Sequence, residues 1–221
     1  MVNKRILLLG ATGRTGRLVL EQALAEGYQV NCLVRSPEKI KIKSDSLDIF
    51  QGDTQNRDDL SKAIEACEAV ISILNISRAS DFPWAPLRTP KDFLSQTMSQ
   101  LSTVAYEQGV NRIVVCSAWG VAETKADLPG WFRWFIDNSN IGVAYRDHER
   151  QEALLEASDL DWTIVRPVGL INSKKAKEVI ESQNNQPKPK LLISRLNVAK
   201  YMINVLSKPK TSKMKVVIST L

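Results

Sequence analysis

The chain opens with a short apolar run that ends in a glycine-rich turn: Ile6-Leu7-Leu8-Leu9, then Gly10-Ala11-Thr12-Gly13-Arg14-Thr15-Gly16. An amphipathic segment follows, with Leu18, Leu20, Ala23 and Leu24 at helical spacing, and a second strand-like run closes at Arg35. A strand, a turn with glycines three residues apart, a helix and a second strand form the context in which such a turn holds a dinucleotide. The glycines let the backbone approach a pyrophosphate, and the helix beginning near Arg14 aims its free N–H groups at it. At the end of the second strand an Asp or Glu would suit a ribose 2′-hydroxyl. Arg35, Ser36 and Lys39 suit a 2′-phosphate instead, so the expected cofactor is NADP(H).

Strands and helices alternate along all 221 residues, which predicts an α/β protein. The expected form is one doubly wound (Rossmann) parallel sheet with helices on both faces, a single domain over 1–221. The expected strands are 4–9, 28–35, 47–51, 69–74, 112–117, 162–165, 191–194 and 216–218. The expected helices are about 14–26, 57–66, 91–108, 145–157 and 196–207. The segment 172–190 is rich in Ser, Asn, Gln and Pro and reads as a surface excursion. In open sheets of this kind ligands sit outside the carboxyl ends of the strands. That rule selects Gly10, Thr12, Gly13, Arg14, Thr15 and Gly16, then Arg35, Asp53-Thr54, Leu74-Asn75, Ser117 and Pro167 as cofactor residues. Asp53 either accepts from the adenine amino group or shapes a turn.

Composition excludes several classes. No apolar stretch approaches the ~20 residues of a membrane span, and the N-terminus lacks a signal-peptide layout. Cys32, Cys67 and Cys116 are scattered, without metal-ligand spacing, and read as small core residues in a reducing cytoplasm. From residue 171 onward there are ten Lys and one Arg against two Glu. These lysines, among them Lys174, Lys175, Lys208 and Lys210, are spread without interleaved aromatics apart from Tyr201. They read as a solvated surface that attracts anions, not as a nucleic-acid or membrane face. A monomer is expected.

The chemistry is narrowed by what is missing. Tyr-x-x-x-Lys, in which the lysine lowers the tyrosine pKa, is absent: Tyr145 is followed four positions later by Glu149, and Tyr106 by Val110. Reduction of a flat conjugated acceptor needs no such acid, because the product anion is delocalised. Trp119, Trp131 and Trp134, with Phe132 and Phe135, offer flat surfaces for a substrate on the 119–145 side, and Phe82 and Trp84 on the loop 75–90. Each could equally cover the core. Ser117 reads as a residue orienting carboxamide or substrate, or as a turn serine. His148 reads as a proton donor or as a structural residue near a helix start beside Asp147.

The glycine turn, Arg35 closing strand two and Gly52-Asp53 after strand three together resemble the atypical short-chain dehydrogenase/reductase family, in particular its flavin and biliverdin reductases. Ser117-Ala118, Asp147-His148-Glu149-Arg150 and Ile193-Ser194-Arg195 carry the resemblance through the chain. It implies an NADPH-dependent reductase of flavin, bilin or quinone acceptors. It places Ser117 beside the nicotinamide, His148 at the active-site rim and Pro167 before the substrate pocket. Where those enzymes carry a histidine two residues after the proline, this chain has Gly169. Some atypical members resemble NADP(H)-sensing regulators without turnover, and the missing Tyr-Lys pair fits that role as well.

Overall fold

A computed structural model describes residues 4–173, 175–208 and 211–221, so Lys174 and Lys210 of the basic segment lie outside the described residues. The first strand, β1 (Arg5–Leu9), pairs in parallel with β2 (Gln29–Val34) on one side and β4 (Ala69–Ser72) on the other. The run of leucines is continuous because both faces of β1 are covered. Ile6 and Leu8 meet Val19, Leu20 and Ala23 of α1 (Arg14–Ala25) and Val198 and Met202 of α6 (Arg195–Ser207). Leu7 and Leu9 meet Leu60 and Ile64 of α2 (Arg57–Ile64), Met98 and Leu101 of α3 (Phe93–Glu107) and Leu155 of α5 (Ile141–Glu156). One helix layer therefore lies on each face.

The other strands are β3 (Leu47–Gln51), β5 (Arg112–Cys116), β6 (Asp161–Pro167), β8 (Val179–Ser182) and β10 (Met214–Thr220). The sheet runs β3-β2-β1-β4-β5-β6-β10-β8. The order reverses between β1 and β4, and there the carboxyl ends diverge to leave a crevice. Seven strands are parallel. The eighth, β8, runs antiparallel to β10, with Val217 opposite Ser182. This strand falls inside the segment expected to be an irregular excursion, because four residues between Asn- and Pro-rich turns carry too little periodicity to read as a strand. A separate pair, β7 (Gly169–Ile171) and β9 (Leu192–Ser194), lies parallel beside the main sheet.

Helix starts have local causes. The Asn56 side chain accepts from the N–H groups of Asp58 and Asp59 and opens α2 at 2.9 and 3.1 Å. Ser194 accepts from Asn197 N–H at 3.0 Å and opens α6. The expected helix at 145–157 begins four residues earlier, at Ile141, and is preceded by α4 (Gly130–Asn138). Gly142 sits inside the first turn of α5 because a Cβ there would stand 2.1 Å from the Ile136 carbonyl oxygen. The glycine that looks like a loop residue in the sequence marks the contact between two helices.

Candidate functional site

Each glycine of the first turn has its own task. Gly10 has φ +91, and a Cβ there would lie 2.8 Å from the Ile73 carbonyl oxygen, so the turn packs directly on the chain after β4. A Cβ on Gly16 would lie 2.0 Å from Gly10 O, which locks the first turn of α1 onto the glycine turn. A Cβ on Gly13 would meet only Gly10 O, at 3.3 Å, and otherwise face the cleft. Gly13 is also the N-cap of α1 and supplies no side chain to its first N–H groups. Those donors have no carbonyl one turn earlier and point toward an anion.

The cleft has a volume of about 520 Å³. The structure brings Gly10, Thr12, Gly13, Arg14, Thr15, Gly16, Arg35, Lys39, Asp53, Thr54, Leu74, Asn75, Ser117 and His148 to its walls, as the sequence leads one to expect. Arg35 follows β2 and lies over the Phe93 ring at 6.0 Å, while Lys39 ends a short 3-10 turn, Pro37–Lys39. Both therefore flank the β2 end of the cleft. Asp53 Oδ1 accepts from Gln55 N–H at 3.0 Å, so the Asx turn exists and its carboxylate also borders the cleft. Ser36 and Pro167 do not line it. Ser36 instead begins the 3-10 turn, accepting from Lys39 N–H, and Pro167 is buried at the end of β6. An uncapped helix start, a wall of glycine and a cationic far end fit a dinucleotide phosphate ester.

The opposite end is built around Ser117. Its N–H donates to Val165 O at 2.7 Å, which fixes the residue between β5 and β6, and its hydroxyl is buried without a partner. His148 borders the same end but does not open a helix. It stands in the middle of α5, 3% exposed, with Gln151 Nε2 3.5 Å from its Nδ1. Burial pulls its pKa down to about 4, which favours the neutral ring. Asp147 does not cap the helix it belongs to. Its carboxylate accepts from Leu94 N–H at 2.7 Å and Ser95 Oγ at 2.6 Å, and so caps α3 from outside. Tyr145 is half-buried against Phe132, and burial raises its phenol far above the ordinary value.

The aromatic residues divide. Trp119 is a core residue, 5% exposed: its backbone N–H donates to Pro167 O at 3.0 Å, which turns the chain back into the interior beside Leu128 and Val168. It does not line the cleft. Trp131 and Trp134 are 62% and 54% exposed and also stand clear of the cleft walls. They share an outer cluster with Phe135, Trp84 and Phe82, whose neighbouring ring centroids are 5.3–6.5 Å apart. Packing among the rings satisfies them, so concentration in the sequence did not translate into a lining. Sequence reasoning missed Arg78, Asp81 and Arg195, which do line the cleft. Asp81 receives both Nη1 and Nη2 of Arg14 at 3.0 and 2.8 Å. The signal that was available is that Arg14 and Arg195 each begin a helix.

A parallel sheet with a crevice at its order reversal, floored by a glycine turn and an uncapped helix, defines a dinucleotide-binding α/β protein. The chain belongs to the NAD(P)H-binding family, whose model matches residues 10–209. It is 38% identical over 184 residues to the photosystem II assembly factor Ycf39 of Synechocystis, covering 82% of this chain and 50% of that one. It is 26% identical over 162 residues to a (4-alkanoyl-5-oxo-2,5-dihydrofuran-3-yl)methyl phosphate reductase of Streptomyces griseus, covering 73% and 46%. The chain thus spans about half the length of these relatives. The structure matches that of ChuY, an anaerobilin reductase from Escherichia coli O157:H7, with a TM-score of 0.80 at 21% identity over 98% of this chain and 97% of that one.

Proposed function

We propose that the protein is an NADPH-dependent reductase that passes hydride to a flat conjugated acceptor of the flavin, bilin or quinone type. The observation that carries this reading is the end of the cleft at Ser117. Ser117 borders it with a buried hydroxyl that has no partner, His148 borders the same cleft with burial favouring its neutral ring, and Tyr145 is not among the residues that line it. Such a site can orient an acceptor and cannot deliver a strong acid to an isolated carbonyl, which favours acceptors whose anion is delocalised. When bound, the dinucleotide supplies the hydride. Arg35 and Lys39 hold the 2′-phosphate, the first turn of α1 holds the pyrophosphate, and Ser117 donates to the carboxamide or the acceptor. Protonation comes from solvent. The free cysteines fit a reducing, cytoplasm-like compartment. Among the described residues no helix is long and apolar enough to cross a membrane.

A second reading, an NADP(H)-responsive binding protein without turnover, is favoured by one observation: Phe82, Trp84, Trp131 and Trp134 form an exposed aromatic cluster that contributes nothing to the cleft. Kinship with an assembly factor points the same way. Loss of NADPH absorbance on adding a flavin, a quinone or a bilin separates the two. The reductase reading expects turnover with at least one acceptor, a rate lowered at least tenfold in Ser117→Ala, and a preference for NADPH over NADH above about tenfold that Arg35→Ala removes. NADPH binding without oxidation by any of the three classes transfers the conclusion to the binding protein.

A further inference from the structure

The aromatic rings on α4 and on the loop before α3 form a face with its own architecture. Phe82, Trp84, Trp131 and Trp134 are all exposed, and they line neither the cofactor cleft nor a second, smaller cavity. Trp131 and Trp134 are three residues apart on α4 and so project from one side of it. The loop is pinned to the end of that helix by four hydrogen bonds. Trp84 Nε1 donates to Asn138 O at 2.7 Å, the Asn140 backbone N–H to Pro83 O at 3.0 Å, and Asn140 Nδ2 to the carbonyls of Trp84 and Ala85 at 3.1 Å each. A braced backbone therefore holds the rings out toward water. A contiguous apolar patch of this kind, rimmed by polar residues, marks an interaction surface.

The same junction leads into a group of cations. Beyond Asn140, the residues Val143, Arg146 and Arg150 follow along one stripe of α5. At a rise of ~1.5 Å per residue the stripe runs about 15 Å from Asn140 to Arg150. Val143 packs on the cluster of Ile76, Phe93 and Leu94, which brings Lys91 beside the stripe. Lys91, Arg146 and Arg150 surround a recess of about 270 Å³ together with Val143 and Asp92. Asp92 is the one carboxylate there, and it accepts from Gln96 Nε2 at 2.6 Å. Among the described residues the three cations take part in no ion pair and no side-chain hydrogen bond. Arg14, Arg57 and Arg112, by contrast, each hold a carboxylate. None of the five residues around the recess lines the cofactor cleft.

We propose that this face seats the protein on an anionic lipid bilayer. The rings enter the boundary between headgroups and acyl chains, and Lys91, Arg146 and Arg150 meet lipid phosphates. Indole suits that boundary because its ring is apolar and its N–H polar. Charge selects the occupant: unpaired cations beside apolar rings complement a surface that is negative outside and apolar beneath. A fluid bilayer also accepts projecting rings without a matching groove. Phe82 follows Asp81, which borders the cofactor cleft, so a protein seated this way holds one rim of the cleft at the lipid surface. The proposal stands apart from the question of whether bound NADPH is oxidised.

The test is flotation of the full chain with phosphatidylcholine vesicles and with vesicles of equal parts phosphatidylcholine and phosphatidylglycerol, with tryptophan emission followed in parallel. Each cation near a charged surface contributes roughly fivefold. After the offset from Asp92, the anionic vesicles should be preferred tenfold or more, less so in high salt, and the emission should move to the blue. Arg146→Gln with Arg150→Gln should cut the preference to threefold or less, whereas Arg146→Lys with Arg150→Lys should retain it. Trp131→Ser with Trp134→Ser should weaken binding to the anionic vesicles at least tenfold. Lys188→Gln with Lys190→Gln, in the basic C-terminal segment, should change it less than twofold. Melting temperature and NADPH affinity confirm that the variants fold, since none of these residues lines the cleft. If a double variant melts early, Trp131→Ser alone and Lys91→Gln alone carry the same test at smaller size. Equal binding to both vesicles, binding to neither, or as large a loss in the Lys188 and Lys190 variant overturns the proposal. So does binding of poly-glutamate that matches the anionic vesicles and ignores the tryptophan substitutions, which gives the face to an acidic protein. A dimer in lipid-free solution that the tryptophan substitutions dissociate overturns it too, by giving the face to a second copy.

Discussion

Acidifying the protein from pH 7.5 to pH 5 is expected to remove about 2 kcal/mol of stability through a single side chain. His148 is the chain's one histidine. Its ring is buried in α5 and its folded pKa is lowered from 6.5 to about 4 by burial. Between those two values the unfolded chain binds a proton that the folded chain refuses. Stability due to His148 is therefore complete above pH 6.5 and is lost as pH falls toward 4. The whole shift corresponds to about 3 kcal/mol at 1.36 kcal/mol per pKa unit, of which about 2 has gone by pH 5. The groups around the ring do not offset this. Gln151 is neutral, and the Asp147 carboxylate is committed to Leu94 and Ser95. Asp81, held low by Arg14, gives up its contribution only at more acidic pH. Urea unfolding of wild type and His148→Gln at pH 7.5, 6.5, 5.5 and 5.0 isolates the effect. The wild-type curve should fall more steeply by about 2 kcal/mol over that range. Parallel curves would refute the burial argument, and a break near pH 6.5 in the rate of NADPH oxidation would restore His148 as a proton donor.

Two further substitutions test the frame of the site. Gly16→Ala drives a methyl into the Gly10 carbonyl and should abolish NADPH binding with a loss of stability, whereas Gly13→Ala should weaken binding and leave the melting temperature within a few degrees; calorimetry and thermal melts on both variants read this directly. Glu152→Gln leaves the Arg166 guanidinium, 1% exposed, with only the surface carboxylate of Glu123, and should destabilise by roughly 3–5 kcal/mol in denaturant titrations, because a buried charge loses its buried partner.

What the sequence conveyed well was whatever depended on local pattern. The leucine run, the glycine spacing and Arg35 at a strand end each fix a backbone geometry or a charge within a few residues; the first became the central strand and the other two lie at the cleft. Less legible was everything that depends on which way a side chain leaves a long connection. Trp119 sits two residues after Ser117, yet one backbone hydrogen bond to Pro167 sends it into the core. His148 looked like a helix-start residue because Gly142 hid the first turn of α5, and so its burial and lowered pKa were out of reach. Arg78 and Asp81 lie in a loop with no periodicity at all. Their meeting with Arg14, 67 positions before Asp81, is a tertiary fact that no spacing encodes.

The aromatic cluster on α4 has a practical corollary. The five tryptophans fall into two optical populations: Trp119 and Trp162 are sealed in the interior, while Trp84, Trp131 and Trp134 face water. The Trp84 indole N–H donates to Asn138 O at 2.7 Å and so ties the 75–90 loop to α4, three residues from the carboxylate that grips Arg14. A ligand that displaces Asp81 from Arg14 is expected to change the emission of Trp84 and not that of the buried pair, so Trp84 serves as an intrinsic fluorophore on the loop that borders the cleft.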